Sequence, residues 1–349
     1  MILNLGQKSF GLDISERALR LIQLKKNKDR AEIISSGEIE VPQDVIKNGK
    51  IVKIDEFSYL IKNLIKTSAG QKITSKYVTA CLPEPNTFIK LITLTHPNSK
   101  DIISEIVNEC KKHIPYALEN TYLDWQFVDE KDKSKILIAV CPKEIVSNYQ
   151  ESLNKAYLTP KALEIEAAAI CRCLISWHKP KTEPLLILDL GAVRTSLIAY
   201  QHPAALFSLS ISFSSDNLTK ILKEKLKLSD EESLKAKKLC GLDPRKAEGS
   251  VRKILEPLID KLATQIREAK YFYHEHFSRG KDLDINLLML TGGGSGLPFL
   301  ADYLKNKCDM EVNIANPLIN LTEIKGKKFI DNIQSFTTAI GLALRVIQK

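Results

Sequence analysis

Apolar residues fall along this chain in short runs that switch between two periods. Positions 10–14, 18–24 and 32–41 carry the alternating or continuous apolar pattern of strands, with polar turns between them. Positions 55–67 change to helical spacing through Phe57, Leu60, Ile61, Leu64 and Ile65. Positions 77–82 predict a buried strand, stopped by Pro83 and Pro85. A β-α-β-β-α block follows within residues 86–160, with strands at 87–93, 122–128 and 135–141 and helices at 100–112 and 143–156. Positions 162–175 predict a helix and 180–184 a proline-bounded linker. Then the N-terminal plan returns, with strands at 185–190 and 195–200 around a turn at 191–194. Helices are predicted at 216–226, 254–276, 296–305 and 336–347, and a strand at 285–290. This alternation predicts an α/β fold, and the two strand-turn-strand starts predict two lobes built on one plan.

Composition narrows the partners. With 349 residues the chain can bury enough surface to need no disulfide or metal staple. Its 51 Lys and Arg against 42 Asp and Glu give a net charge of +9, which admits nucleic acid or an anionic surface. The lysines are scattered, however. The runs at 25–28 and 325–328 fall in predicted turns without interleaved aromatics, so a solvated basic surface and no nucleic-acid partner are expected. Seven cysteines show no CxxC or zinc spacing and sit among aliphatic residues, as Cys81 does, which points to reduced thiols in a cytoplasmic protein. Residues 1–6 are too short for the apolar region of a signal peptide, and no apolar run is long enough to span a membrane.

Three segments could carry chemistry. Gly11-Leu12-Asp13-Ile14-Ser15-Glu16-Arg17 brings an acidic residue to a strand end before a tight turn. Leu188-Asp189-Leu190-Gly191-Ala192-Val193-Arg194-Thr195 repeats the device. Leu290-Thr291-Gly292-Gly293-Gly294-Ser295-Gly296 leaves an apolar strand and is expected to open a helix at Gly296. Glycine-turn N–H groups and a helix start suit phosphate. Asp13 and Asp189 suit Mg²⁺ held through water. No GxxxxGK[ST] run exists, so this is not a P-loop protein. Tyr273-His274-Glu275-His276-Phe277 is read as an exposed helix end, because i and i+2 do not share a helix face.

The order of these segments resembles the superfamily of actin, sugar kinases and chaperone ATPases. Within it, the chain is similar to the PilM family of pilus-assembly proteins. The similarity lies in His113-Ile114-Pro115-Tyr116, Leu123-Asp124-Trp125-Gln126-Phe127, Cys141-Pro142-Lys143-Glu144, Leu163-Glu164-Ile165-Glu166-Ala167-Ala168-Ala169 and Ala339-Ile340-Gly341-Leu342-Ala343-Leu344-Arg345. The resemblance implies a two-lobed actin-like ATPase fold with ribonuclease H-like lobes and an inserted, SHS2-like 1C subdomain. Its bounds would be 1–85 for subdomain 1A, 86–160 for 1C and 161–184 for the connecting helix and linker. Subdomain 2A would take 185–228 and 278–334, 2B would take 229–277, and 335–349 would close the first lobe.

It also implies ATP or ADP with Mg²⁺, bound by Asp13, Ser15, Glu16, Asp189, Gly191, Thr195, Gly292, Gly293, Gly294 and Ser295, with Glu166 orienting water. The implied partner is the cytoplasmic tail of a PilN-like bitopic membrane protein, which would bring the chain to the inner membrane. The chain departs from the family pattern at Ser15 and Glu16, where glycine and a small hydroxyl residue are usual, and at Ser214-Ser215-Asp216, where Gly-Gly-Asp is frequent. Weak or absent hydrolysis is therefore expected. Two other readings are an active ATPase or small-molecule kinase of the same fold, and an FtsA-like filament protein. The latter adds a membrane helix after the fold, whereas this sequence stops at Gln348-Lys349, so an autonomous anchor is not expected.

Overall fold

The computed structural model describes residues 9–97, 99–114, 117–128, 133–278, 283–322 and 330–347. Pro115-Tyr116, the 325–328 basic run, the N-terminal residues 1–6 and Gln348-Lys349 therefore lie outside the described residues. The chain forms two compact units, one of residues 1–180, 203–208 and 317–349 and one of residues 181–202 and 209–316.

The first unit opens with β1 (Phe10–Ile14), β2 (Ala18–Asn27), β3 (Arg30–Glu40), the hairpin β4 (Ile46–Lys47) and β5 (Lys50–Ile51), α1 (Ile54–Thr67), β6 (Ala69–Gly70) and β7 (Tyr77–Leu82). It continues through β8 (Phe88–Thr93), α2 (Ile102–Lys111), β9 (Thr121–Phe127), β10 (Lys135–Pro142), α3 (Lys143–Lys155), β11 (Thr159–Ile165) and α4 (Glu166–Leu174). Next come β12 (Leu185–Leu190), β13 (Thr195–Gln201), β14 (Ala204–Ile211), α5 (Ser215–Leu226), α6 (Asp230–Cys240), α7 (Ser250–Phe277), β15 (Leu287–Thr291), α8 (Leu300–Cys308) and β16 (Glu311–Ile314). The helix α9 (Thr337–Leu344) belongs to the first unit.

The first sheet has the order β11-β7-β1-β2-β3-β6. Its centre, β1, is buried at every position, which accounts for a continuous apolar run rather than an alternating one. In the second unit the order β16-β15-β12-β13 repeats the arrangement: two parallel partners on one side of the acidic strand and an antiparallel one on the other.

The predicted helix over 162–175 is instead a strand followed by a shorter helix. Parallel pairing from Thr159↔Tyr77 to Ile165↔Leu82 holds β11 in the sheet and overrides local helical preference. Asn320 ends α4: its Nδ2 donates to the Ile175 carbonyl at 2.8 Å and its Oδ1 accepts from the Trp177 N–H at 3.0 Å. The small residues of α9 serve close packing. A Cβ on Gly341 would overlap the Ala169 carbonyl oxygen of α4, and one on Gly11 would lie 2.5 Å from the Ala343 nitrogen. Buried Glu164 braces the same seam, bonding both Arg172, at 2.7 and 2.9 Å, and Arg345.

The block at 86–160 divides between two cores. Ile92, Ile106, Cys110, Ile136 and Val140 form a small core with Trp125 and Phe127 against it. Ile145, Val146, Tyr149 and Leu153 of α3 instead join the core of the first sheet.

Candidate functional site

In the first unit, the carboxyl ends of parallel β1, β7 and β11 meet, the place where open α/β sheets bind ligands. Asp13, at 5% exposure, pairs with Arg20 at 3.5 Å and accepts from the Cys81 thiol at 3.4 Å. Burial raises its pKa above the usual carboxylate value, against the pull of Arg20. Arg20 also holds Glu38 at 2.7 Å. Burial pushes the Cys81 thiol well up, and Asp13 and Glu166 push it further. Glu166 opens α4 and accepts from the Thr338 hydroxyl of α9 at 3.3 Å. The Ser15 hydroxyl donates to the Ala18 carbonyl at 2.9 Å and its N–H donates there at 3.1 Å, so Ser15 closes the β1–β2 turn. Glu16 accepts the Gly49 N–H at 3.1 Å.

In the second unit, Asp189 of β12 lies beside the start of the glycine loop after β15. Gly292 has φ +81°; a Cβ there would overlap Asp189 Oδ1 and stand 2.7 Å from the Leu190 oxygen, so only glycine fits. The Gly294 N–H donates to the Leu190 carbonyl at 2.8 Å. Buried Ser295 donates its hydroxyl, at 2.7 Å, and its N–H, at 3.1 Å, to the Gly292 carbonyl. Gly293 is exposed.

Two expectations change here. The helix does not open at Gly296. It starts at Leu300, because Pro298 and the left-handed Phe299 (φ 61°) hold the chain out of helix until then. The loop is also not an open nest of donors, since the Gly294, Ser295 and Leu297 N–H groups already serve carbonyls within this junction. What it presents is a surface without side chains.

The turn at 191–194 is closed by the Gly191 N–H on the Arg194 carbonyl at 3.0 Å. Thr195 is fully buried and its hydroxyl donates to the Phe213 carbonyl at 2.8 Å, which directs it into the fold. The start of α5 docks on the turn: the Ser215 and Asp216 N–H groups donate to the Gly191 and Ala192 carbonyls at 3.1 and 3.0 Å. The sequence reading passed over Lys237 of α6. It is buried and donates to the Ser215 carbonyl and hydroxyl at 2.8 and 2.7 Å. Burial pulls its pKa down. The end of α6 meets the glycine loop, with the Leu242 N–H on the Pro298 carbonyl at 2.9 Å. Helix α6 was missed as an element, although the Ser229-x-x-Glu232 capping box is legible at its start.

Asp13, Ser15 and Glu166 are thus brought to one strand-end cluster, with Glu16 turned to Gly49. Asp189, Gly191, Gly292, Gly294 and Ser295 form the other, with Gly293 on its open side. Among the described residues no group of three or more His, Cys, Asp or Glu side chains is arranged to hold a metal ion directly. His274 and His276 are exposed at the end of α7. No described helix is long and apolar enough to cross a membrane.

Residues 11–347 match the family of the type IV pilus assembly protein PilM. Among solved structures, the chain is similar to a PilM-PilN type IV pilus biogenesis complex, with a TM-score of 0.82, 20% identity and coverage of 98% of this chain and 99% of that one. It is also similar to MreB5 of Spiroplasma citri bound to ADP, with a TM-score of 0.59, 10% identity and coverage of 99% and 98%. EutJ from Carboxydothermus hydrogenoformans matches with a TM-score of 0.54, 13% identity and coverage of 96% and 88%. At these identities the structures speak for the fold, which is that of the actin-like ATPases. By its match over nearly all its length, the chain belongs to the family of type IV pilus assembly protein PilM.

Proposed function

We propose that the chain is a nucleotide-binding adaptor of type IV pilus or related type II secretion assembly, which docks the cytoplasmic tail of a PilN-like membrane protein. The observation that carries this reading is the family match over residues 11–347, joined to a structural neighbour that is itself a PilM-PilN complex. The chain would act in the cytoplasm and reach the inner membrane through that partner.

The nucleotide is ATP or ADP. Its adenosine side would rest on the glycine loop, where Gly293 is open and Gly292 leaves Asp189 its place. Lys237 would position the start of α5 beside the turn at 191–194. Mg²⁺ fits through water. Buried Asp13 is engaged by Arg20 and Cys81, which suits an outer role better than direct ligation. Asp189 would take the same role in the second unit. Bound there, Mg²⁺ would offset phosphate charge. Glu166, held by Thr338, would orient water, but Ser15 is spent on its turn and Glu16 adds a negative charge beside it. Hydrolysis is therefore slow or absent.

The subdomains proposed are 1A at 1–85, 1C at 86–160, the connecting helix and linker at 161–184, 2A at 185–228 and 278–334, 2B at 229–277, and the closing helix at 335–349. The tail would lie between 1A and 1C as an extended segment, gaining backbone hydrogen bonds and side-chain pockets. The test is fluorescence anisotropy with a labelled tail peptide, alongside calorimetry with MgATP. A chain that binds neither refutes the reading.

A further inference from the structure

The amino ends of β7 and β11 lie opposite the sheet end that carries Asp13 and Glu166, and they border a basic, aromatic face. Residues 57–83 contain Lys62, Lys66, Lys72 and Lys76 and no Asp or Glu; residues 152–163 contain Lys155 and Lys161 and again no acid. The fold joins the two stretches. The Thr159 N–H donates to the Lys76 carbonyl at 2.8 Å, and the Ser58 hydroxyl donates to the Lys155 carbonyl at 3.0 Å. Tyr59, Lys62 and Lys66 are exposed on one face of α1, at the i, i+3, i+7 spacing. The turn from α3 into β11 adds Tyr157, which is 80% exposed at a left-handed φ of 62°. Asparagine or glycine would hold such a turn with less strain, so folding does not account for the ring. Lysines stand over the aromatic faces: Lys62 Nζ is 4.7 Å from the Tyr157 ring centre, and Lys161 and Lys76 are 4.1 and 5.6 Å from that of Tyr77. Of the carboxylates bordering these stretches, Asp55 holds Lys155 at 2.7 Å and Glu56 holds Lys53 at 3.5 Å. Glu84 and Glu164 are buried, and Glu151 is exposed on α3 a turn before Lys155. Among the described residues, Lys62, Lys66, Lys72, Lys76 and Lys161 are paired with no carboxylate.

We propose that this face lies against the anionic headgroups of a lipid bilayer. Charge complementarity selects that occupant. Lysine is depleted at protein interfaces but attracted to anionic lipid, and exposed tyrosine rings suit the headgroup level. Nucleic acid is disfavoured, because the Tyr77 and Tyr157 rings that would stack on bases are already faced by ammonium groups. Each lysine adds about fivefold to the partition, so five give on the order of a thousandfold, a weak and reversible hold. This goes beyond the tail reading and does not depend on it. A partner's tail would recruit the chain, and the lysine face would set which end of the first sheet meets the bilayer.

Flotation of the full chain, with no partner present, on vesicles of phosphatidylcholine and phosphatidylglycerol mixed three to one tests this. The chain should float with these vesicles, stay behind with pure phosphatidylcholine, and be released by high salt. Lys62→Gln with Lys66→Gln and Lys76→Gln should lower the partition on the order of 100-fold. The melting temperature should not move, because all three side chains are exposed. Lys220→Gln with Lys225→Gln and Lys253→Gln removes the same charge from exposed positions of the second unit and should leave the partition unchanged. Tyr157→Asn should raise the melting temperature by easing the turn and yet weaken the partition, which a purely structural tyrosine would not do. No flotation on the anionic vesicles, or equal losses in the two triple variants, overturns the inference. So does a single-stranded oligonucleotide that binds more tightly than the vesicles and is lost in the Lys62, Lys66 and Lys76 variant.

Discussion

Alanine at Gly292 should destabilise the second unit, while alanine at Gly296 should not. Two costs meet at Gly292. Its φ of +81° is left-handed, and a non-glycine residue in such a conformation costs about 1–3 kcal/mol. The added Cβ would also overlap Asp189 Oδ1 and stand 2.7 Å from the Leu190 oxygen, and overpacking of that kind costs about 1–3 kcal/mol. Together they remove about 2–6 kcal/mol from a folding free energy on the order of 5–15 kcal/mol. At about 2–4 °C per kcal/mol, the melting temperature should fall by roughly 5–20 °C. At Gly294 the Cβ would meet Leu190 at 3.0 and 3.1 Å with no left-handed cost, so alanine there should cost about 1 kcal/mol. At Gly296 nothing lies within 4 Å, and the change should stay within about 0.5 kcal/mol. Thermal unfolding ranks the three. Gly293→Val separates folding from binding: the position is exposed, so the fold should hold while calorimetry with MgATP shows binding lost. Equal melting temperatures for the Gly292 and Gly296 variants would refute the packing argument. Unchanged ATP affinity in Gly293→Val would reduce the loop to a turn.

Other outcomes follow from the same geometry. Iodoacetamide at pH 8 should label Cys240 in the native protein, read by mass spectrometry. Buried Cys110 and Cys308, pushed up to about 11, and Cys141 and Cys171, pushed up to about 12, should stay unlabelled. Lys237→Met should cost about 0.5–1.5 kcal/mol by removing its bonds to the Ser215 carbonyl and hydroxyl, the carbonyl keeping the Thr219 hydroxyl at 3.2 Å. Because burial lowers the Lys237 pKa, the folded state holds its proton less tightly. The parent should therefore gain on this variant as pH rises from the lowered pKa toward 10.5; a flat difference in urea unfolding would contradict that. Replacing residues 88–140 with a flexible linker should abolish tail binding and keep ATP binding. Removing 86–160 should unfold the first unit, because α3 supplies Tyr149 and Leu153 to its core. Phosphate release should be negligible, and Ser15→Gly with Glu16→Thr should tighten ATP binding about tenfold, roughly 1.4 kcal/mol.

The repeated acidic hairpins and the main strands are legible from apolar runs because their strands are central and buried on both faces, as β1 and β12 are. What was lost depends on distant partners. Nothing local distinguishes Ala162-Leu163-Glu164-Ile165 from the helix that follows; pairing with β7 decides it. Helix α6 has a mostly polar surface, so its weak periodicity hid it despite its capping box. The glycine loop was recognised, but not that Pro298 and Phe299 delay the helix. Among the site residues, Asp13 could be picked out by its place at a strand end, whereas its tie to Arg20 depends on the register Asp13↔Arg20. Thr195 shows the limit most plainly: its hydroxyl lies beside the turn in sequence, yet the fold spends it on Phe213.

The two clusters differ in what they leave open, and that difference bears on the proposed chemistry. In the first unit, each polar group at the strand ends has a partner from the chain: Asp13 has Arg20 and Cys81, Ser15 has Ala18, Glu16 has Gly49 and Glu166 has Thr338. Using the Ser15 hydroxyl as a donor to phosphate requires breaking a bond already made, at about 0.5–1.5 kcal/mol, whereas the carboxylates can accept from metal-held water alongside these partners. In the second unit, Gly292 and Gly294 are packed against Asp189 and Leu190, and exposed Gly293 offers a contact surface that needs no such rearrangement. The proposed adenosine contact therefore meets a prepared surface. This contrast favours the proposed holding of a nucleotide over its hydrolysis.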